Sequence, residues 1–322
     1  MTAALALVAA VMAGCGSSGG GGGTTAPAPA APATLSSIAA AASAGFTSPA
    51  GMAVSRDGHR LYFTARRAPD DAPAVYVLDL ATRAVTQLFG GAPLVEPGAL
   101  AVTNDNRTLL IADMAADGGG ELSGVIYQMP ADGGGSPQPL LPVDTLDLPV
   151  GLTLDRAGTH LYVSAYTPDG EPALWTMSTL GAKPTVVLKG APLFDPSALA
   201  VTSDQQSLLV VDDGAAADGG SALLRVPLSG SGVETVTSGI PLAWPAGLAV
   251  DNFGGHALIT GQSPGTGLPG VISVALADHA VTTLFSGGPT MQPTALVPSP
   301  LTASVLYVAD ADASGGILTI FH

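Results

Sequence analysis

Pro97-Gly98-Ala99-Leu100-Ala101-Val102, then a polar turn, then Leu109-Leu110-Ile111-Ala112-Asp113 form a stretch that recurs six times along the chain. Its prolines are Pro49, Pro97, Pro149, Pro196, Pro245 and Pro293, spaced 48, 52, 47, 49 and 48 residues apart. A fixed period in this range marks a propeller, a solenoid or an array. Each repeat opens with an inner apolar run such as Gly51-Met52-Ala53-Val54. Turn formers follow, as in Arg56-Asp57-Gly58 or Asn104-Asp105-Asn106. An alternating strand comes next, as in Leu61-Tyr62-Phe63, then a Gly- and Asp-rich loop and two further strands. Four strands per period make a propeller blade. The absence of a 3.6-residue periodicity between strands disfavours a βα repeat.

The sixth repeat ends after its third strand, at His322. The missing strand is available at the other end of the ring, in residues 33–38 (Ala-Thr-Leu-Ser-Ser-Ile). The expectation is an all-β, six-bladed β-propeller of four-stranded blades over residues 33–322. The N-terminal strand completes the last blade, and no open edge remains.

The repeats also alternate. Repeats 1, 3 and 5 read Pro-Ala-Gly-Met, Pro-Val-Gly-Leu and Pro-Ala-Gly-Leu; repeats 2, 4 and 6 read Pro-Gly-Ala-Leu, Pro-Ser-Ala-Leu and Pro-Thr-Ala-Leu. A two-blade module of about 98 residues used three times accounts for this. Acidic residues keep the same double period. The second strand ends in Asp113, Asp212 and Asp310 in the even repeats, but in Ala65, Ala165 and Gly261 in the odd ones. Glu96, Asp195 and Gln292 stand just before the even inner strands.

In a four-stranded blade the loop after the second strand and the link into the next blade open on one face. Glu96 with Asp113, and Asp195 with Asp212, are therefore expected near one channel mouth. Asp310 stands at the same position in the last blade. Further acids crowd these loops, opposed by Arg66 and Arg67. Two readings stand side by side. A strand-terminal Asp can fasten its own loop by accepting backbone N–H groups. Alternatively, hard oxygen ligands gathered on loops suit Ca²⁺ or another divalent cation. On the second reading Glu96, Asp113, Asp195, Asp212 and Asp310 are the metal ligands.

Composition narrows the rest. The chain has 322 residues, 10 Lys and Arg against 25 Asp and Glu, and a net charge of −15. With no basic cluster to neutralise phosphates, nucleic acid is not an expected partner. A protein or small-molecule ligand at the acidic loop face is expected instead, on a monomer. His59, His160 and His256 recur before the second strand, on the opposite face, and read as turn residues. No Cys/His cluster or phosphate loop is present.

Residues 2–14 form an apolar run too short to span a bilayer. It ends in Met12-Ala13-Gly14-Cys15, which resembles a bacterial lipobox. The resemblance implies a signal peptide over 1–14, lipidation of Cys15, and the membrane reached through that anchor alone. Residues 15–32, rich in Gly, Ser, Ala and Pro, read as a tether. The same resemblance implies outer-membrane or cell-surface placement, because Gly16 after the cysteine is not the acidic residue that favours inner-membrane retention in that family.

Two segments carry a further resemblance. Residues 245–251 (Pro-Ala-Gly-Leu-Ala-Val-Asp) and Leu306-Tyr307-Val308-Ala309-Asp310 resemble the six-bladed propellers of the NHL, YVTN and gluconolactonase group. The likeness covers residues 33–322. It implies the fold, and either a binding module or a metal-dependent hydrolase of a lactone or related ester. The gluconolactonase-like branch holds its metal with a Glu before an inner strand, an Asn before another and an Asp ending a second strand. Glu96 matches the first position and Asp113, Asp212 and Asp310 the last; the Asn has no counterpart. The expectation settled on is a lipid-anchored binding propeller, with the hydrolase as its alternative.

Overall fold

The chain divides into two units, Met1–Ala31 and Pro32–His322. The computed structural model describes residues 33–115, 123–142, 145–242, 246–288, 291–312 and 315–322. Cys15 and the signal and tether segments lie outside the described residues.

Six antiparallel sheets of four strands follow one another along the second unit and form a β-propeller. Blade 2 is typical. Its inner strand Pro97–Val102 pairs with Thr108–Asp113, which pairs with Val125–Pro130, which pairs with Gln138–Pro139. In blade 1 the innermost strand comes in two pieces, Phe46–Thr47 and Met52–Val54, both paired with Arg60–Arg67. The sixth blade closes as the sequence predicts. Thr34–Ala40 pairs with Gly316–Phe321 from Thr34↔Phe321 to Ala40↔Gly316, two residues beyond the expected end. A single helical turn that the strand pattern hides, Ala41–Ala44, follows and stops at Gly45, whose φ is +77°. The Ala run favours the turn, and glycine takes the left-handed cap.

Burial falls from the inside outward. Second strands such as Ser207–Asp212 are buried at every residue, whereas the outer strand Val85–Gly90 has none buried. Outer strands are short, and that of blade 2 is two residues ending in Pro139, which has no N–H to offer a neighbouring edge. The apolar clusters lie between adjacent blades. At the closing seam Phe46 meets Phe63 edge-on at 4.8 Å, and Phe63 stacks on Tyr76 at 5.3 Å, beside Ala39 and Ile317 of blade 6. The Thr294 hydroxyl donates to the Pro49 carbonyl across the same seam at 2.6 Å.

The two-blade alternation has a physical basis at the turns after the inner strands. Odd blades turn through Gly58, Gly158 and Gly254, with φ of +72°, +72° and +73°. Blades 2 and 4 turn through Asn106 and Gln205, which also take positive φ. A Cβ on Gly158 would stand 2.6 Å from Asn104 Cγ, and one on Gly254 would stand 2.3 Å from Ser203 Oγ. The even turn thus presses its side chain onto the odd turn, where only glycine leaves room. Polar side chains tie the same turns together. Asn106 Oδ1 accepts from the Arg56 N–H at 2.8 Å, and Gln205 Oε1 accepts from the Arg156 N–H at 2.7 Å.

Candidate functional site: a central channel and its carboxylate clamps

The inner strands enclose a central channel with a chamber toward each face. Met52, Leu100, Leu152, Leu199, Leu248 and Leu296, one from each blade, line both chambers. Each is between 4% and 9% exposed, because its side chain packs into one of the apolar clusters between blades. The chamber on the acidic loop face has a volume of about 370 Å³. Its wall is made of small residues, including Gly98, Ala99, Ala198 and Ala295. Its polar lining includes Ser48, Arg66, Glu96, Gln292 and Thr294. The chamber on the opposite face is of similar size, about 400 Å³, and includes Asn104, Asp155, Arg156 and Gln205.

The strand-terminal aspartates turn inward to the backbone. Asp113 is fully buried, and its carboxylate accepts N–H groups from Val95 at 2.9 Å, Glu96 at 2.8 Å and Ala115 at 3.2 Å. Asp212, also fully buried, accepts from Phe194 at 3.1 Å and Asp195 at 3.0 Å. Asp310 accepts from Gln292 at 2.8 Å and Asp312 at 3.1 Å. Each clamp therefore grips the residue just before the inner-strand proline of its own blade. That proline cannot donate, so its neighbour's N–H is the last one available there. Desolvation raises the Asp113 carboxyl above the usual range against its three N–H donors. For Asp212, desolvation comes first and the nearby Asp195 and Asp213 add to it; the carboxyl is pushed up to about 6.

Odd blades carry a hydroxyl one residue before that aspartate position, which the sequence reading did not pick out, and it takes a different N–H, two residues past the inner-strand proline. Thr64, Ser164 and Thr260 are fully buried on the second strands. Thr64 Oγ1 accepts the Gly51 N–H at 2.9 Å and donates to the Gly98 carbonyl of the next blade at 2.7 Å. Ser164 likewise links the Gly151 N–H to the Ser197 carbonyl. Thr260 accepts from Gly247 at 2.6 Å. The available signal was a Thr or Ser one residue before the Ala65, Ala165 and Gly261 that replace aspartate.

The five acids read as ligands thus part company. Glu96 lines the loop-face chamber and is exposed. Asp113, Asp212 and Asp310 lie behind it as clamps. Asp195 accepts the Tyr166 hydroxyl at 2.8 Å, joining blades 3 and 4; burial and that carboxylate together raise the phenol's pKa. Among the described residues no three His, Cys, Asp or Glu side chains gather into a group that could hold a metal. Among the described residues, Glu96 thus stands without the further ligands that the divalent ion implied by the resemblance would need. Elsewhere on the loop face Arg67 pairs with Asp70, and Lys189, which the sequence reading left out, pairs with Glu171 at 2.5 Å. His160 and His256 face Asp155 and Asp251 within their own turns, at 3.0 and 2.9 Å.

Solved structures share this fold. Neither a protein-family model nor a curated protein matches the sequence. A gluconolactonase of Xanthomonas campestris superposes with a TM-score of 0.64 at 15% identity, over 90% of this chain and 89% of that one. A putative TolB of Agrobacterium tumefaciens gives 0.55 at 17% identity, over 86% and 90%. An oligogalacturonate lyase of Vibrio parahaemolyticus gives 0.56 at 10% identity, over 90% and 97%. The likeness is one of fold. At these identities it carries no activity across.

Proposed function

We propose that this chain is a lipid-anchored, extracytoplasmic binding propeller, tethered through Cys15 and residues 15–32, whose loop-face chamber receives the ligand. The observation that carries the reading is the disposition of the carboxylates. Three of the five acids spend their oxygens on backbone N–H groups, a fourth accepts a tyrosine hydroxyl, and Glu96 alone borders the chamber. A lone carboxylate on a mostly apolar wall can orient a ligand. A metal-assisted hydrolase needs several ligands around one ion and an open coordination position for water.

The reading is tested with the purified propeller and a panel of aldonolactones and aryl esters, each with Ca²⁺, Mn²⁺ or Zn²⁺. The expected result is no ring opening above buffer with any ion. Turnover that EDTA abolishes and Glu96→Gln removes would replace the binding reading with the hydrolase. The anchor is tested by palmitate labelling in a bacterial host. The wild-type chain is expected to take up label and sediment with membranes, and Cys15→Ser to do neither.

A further inference from the structure

We propose that the face opposite the acidic loops is a bilayer-docking surface, which turns the loop-face chamber away from the membrane. The inference rests on the anchored reading above and adds which face of the ring meets the lipid. The chain enters the ring on that opposite face. Thr34 pairs with Phe321, and Phe321 pairs with Val305, just after the turn that follows the inner strand of blade 6. Thr34–Ala40 then runs toward the loop face, where Ala40 pairs with Gly316 and Gly316 with Asp310. An anchor at Cys15 therefore joins the ring through its opposite face. Fully extended, the stretch from Cys15 to Thr34 spans at most about 65 Å. The point of attachment alone therefore does not decide which face meets the lipid.

The surface of the ring decides it. Among the described residues eight large apolar side chains are exposed, and Phe194 alone of them stands on the loop face. Leu180, Phe253 and Leu301, exposed by 91%, 83% and 63%, stand in connections on the opposite face. The other four lie within two residues of the same end of their strands. The connections bearing Phe253 and Leu301 are neighbours, in blade 5 and in blade 6, which the chain enters: the Asn252 side-chain amide donates to the Ser299 carbonyl at 2.9 Å. Charge divides the same way. Of the ten Lys and Arg only Arg66, Arg67 and Lys189 stand on the loop face; the other seven lie toward the opposite face, against nine Asp and Glu. The loop face thus keeps most of the net charge of −15. A bilayer containing anionic lipid repels that face and lets the near-neutral one approach. Apolar side chains at its turns then leave water for the boundary between headgroups and acyl chains.

The test couples the purified full chain through Cys15, its single cysteine, to vesicles of phosphatidylethanolamine and phosphatidylglycerol doped with a maleimide-headgroup lipid. The vesicles are made with and without bromine on the acyl chains, so that quenching reports a tryptophan at the hydrocarbon boundary. Phe253→Trp and Leu301→Trp are read against the wild-type baseline of Trp175 and Trp244. Both should lose fluorescence in the brominated vesicles, and Phe194→Trp should not. Leu301→Asp, combined with Phe253→Trp on the neighbouring turn, should relieve the quenching of that reporter. The replaced side chains are exposed, circular dichroism melts check the fold of each variant, and either turn reporter alone reads the contact. Quenching of Phe194→Trp as strong as that of Phe253→Trp, no quenching at either turn, or quenching that Leu301→Asp leaves unchanged would each overturn the inference. Because the coupling is chemical, those results leave the anchor to palmitate labelling and the binding reading to the turnover assay.

Discussion

At Asp212 burial and charge meet in one side chain. The group is fully buried, its two N–H donors do not repay its lost hydration, and Asp195 and Asp213 stand close by. A carboxyl whose folded pKa lies above its unfolded value stabilises the fold fully below the unfolded pKa, and that contribution is lost as pH rises through the folded one. Here the window runs from 3.8 to about 6. Asp212→Asn keeps one oxygen for the Phe194 and Asp195 N–H groups but cannot ionise. Its stability relative to wild type should therefore be greater at pH 7 than at pH 4, by about 2 kcal/mol, in urea unfolding at the two pH values. A difference independent of pH would show that the carboxylate is not desolvated. Asp113 tests the clamp itself. Asp113→Ala orphans three backbone N–H groups and should cost about 3 kcal/mol, read as a Tm drop of about 6 °C. Asp113→Asn, which retains an acceptor, should cost less than half of that.

Among the strands, the closing one has the most to prove. Thr34–Ala40 covers the edge of Gly316–Phe321, where residues 316–320 are buried, and its Ala39 joins the aromatic cluster of blade 1. A chain begun at Ala41 would leave that edge open, and open edges recruit other strands. Such a chain should lose its cooperative thermal transition and elute as higher oligomers in size-exclusion chromatography with light scattering; a monomer with an unchanged melt would refute the closure. This closure was legible because a repeat that stops one strand short must find the strand elsewhere. The aspartates were legible as a periodic feature, since three acids at one repeat position stand out among apolar strands. Their role was not, because a carboxylate that clamps N–H groups and one that coordinates a cation have the same spelling. Thr64, Ser164 and Thr260 were hidden for a different reason: a hydroxyl on an alternating strand is ordinary, and its partner carbonyl lies in the next blade, 34 residues on for Thr64 and 33 for Ser164. The odd-turn glycines carried a readable turn signal, but the even-turn side chains pressing on them come from a neighbouring repeat.

On the scale of the ring, the expected calcium site and the excess of acid become separable. A net charge of −15 on a closed ring opposes compactness by self-repulsion, which salt relieves. Raising NaCl from about 10 mM to about 0.1 M shortens the screening length from about 30 Å to about 10 Å, and the Tm should rise by a few degrees. CaCl₂ adjusted to the same ionic strength provides the comparison. If the loop acids are a diffuse charge, with their best-placed carboxylates committed to backbone N–H groups, the two salts should give nearly the same Tm. A specific Ca²⁺ site would add stability that grows as RT ln(1 + [L]/Kd), about 2.7 kcal/mol at a hundredfold excess over Kd. That addition would persist in 0.1 M NaCl, where screening has already acted. A calcium-specific rise that Glu96→Gln removed would put a cation at the chamber mouth. One that survived Glu96→Gln would place the ion on other loop acids and leave the chamber to its ligand.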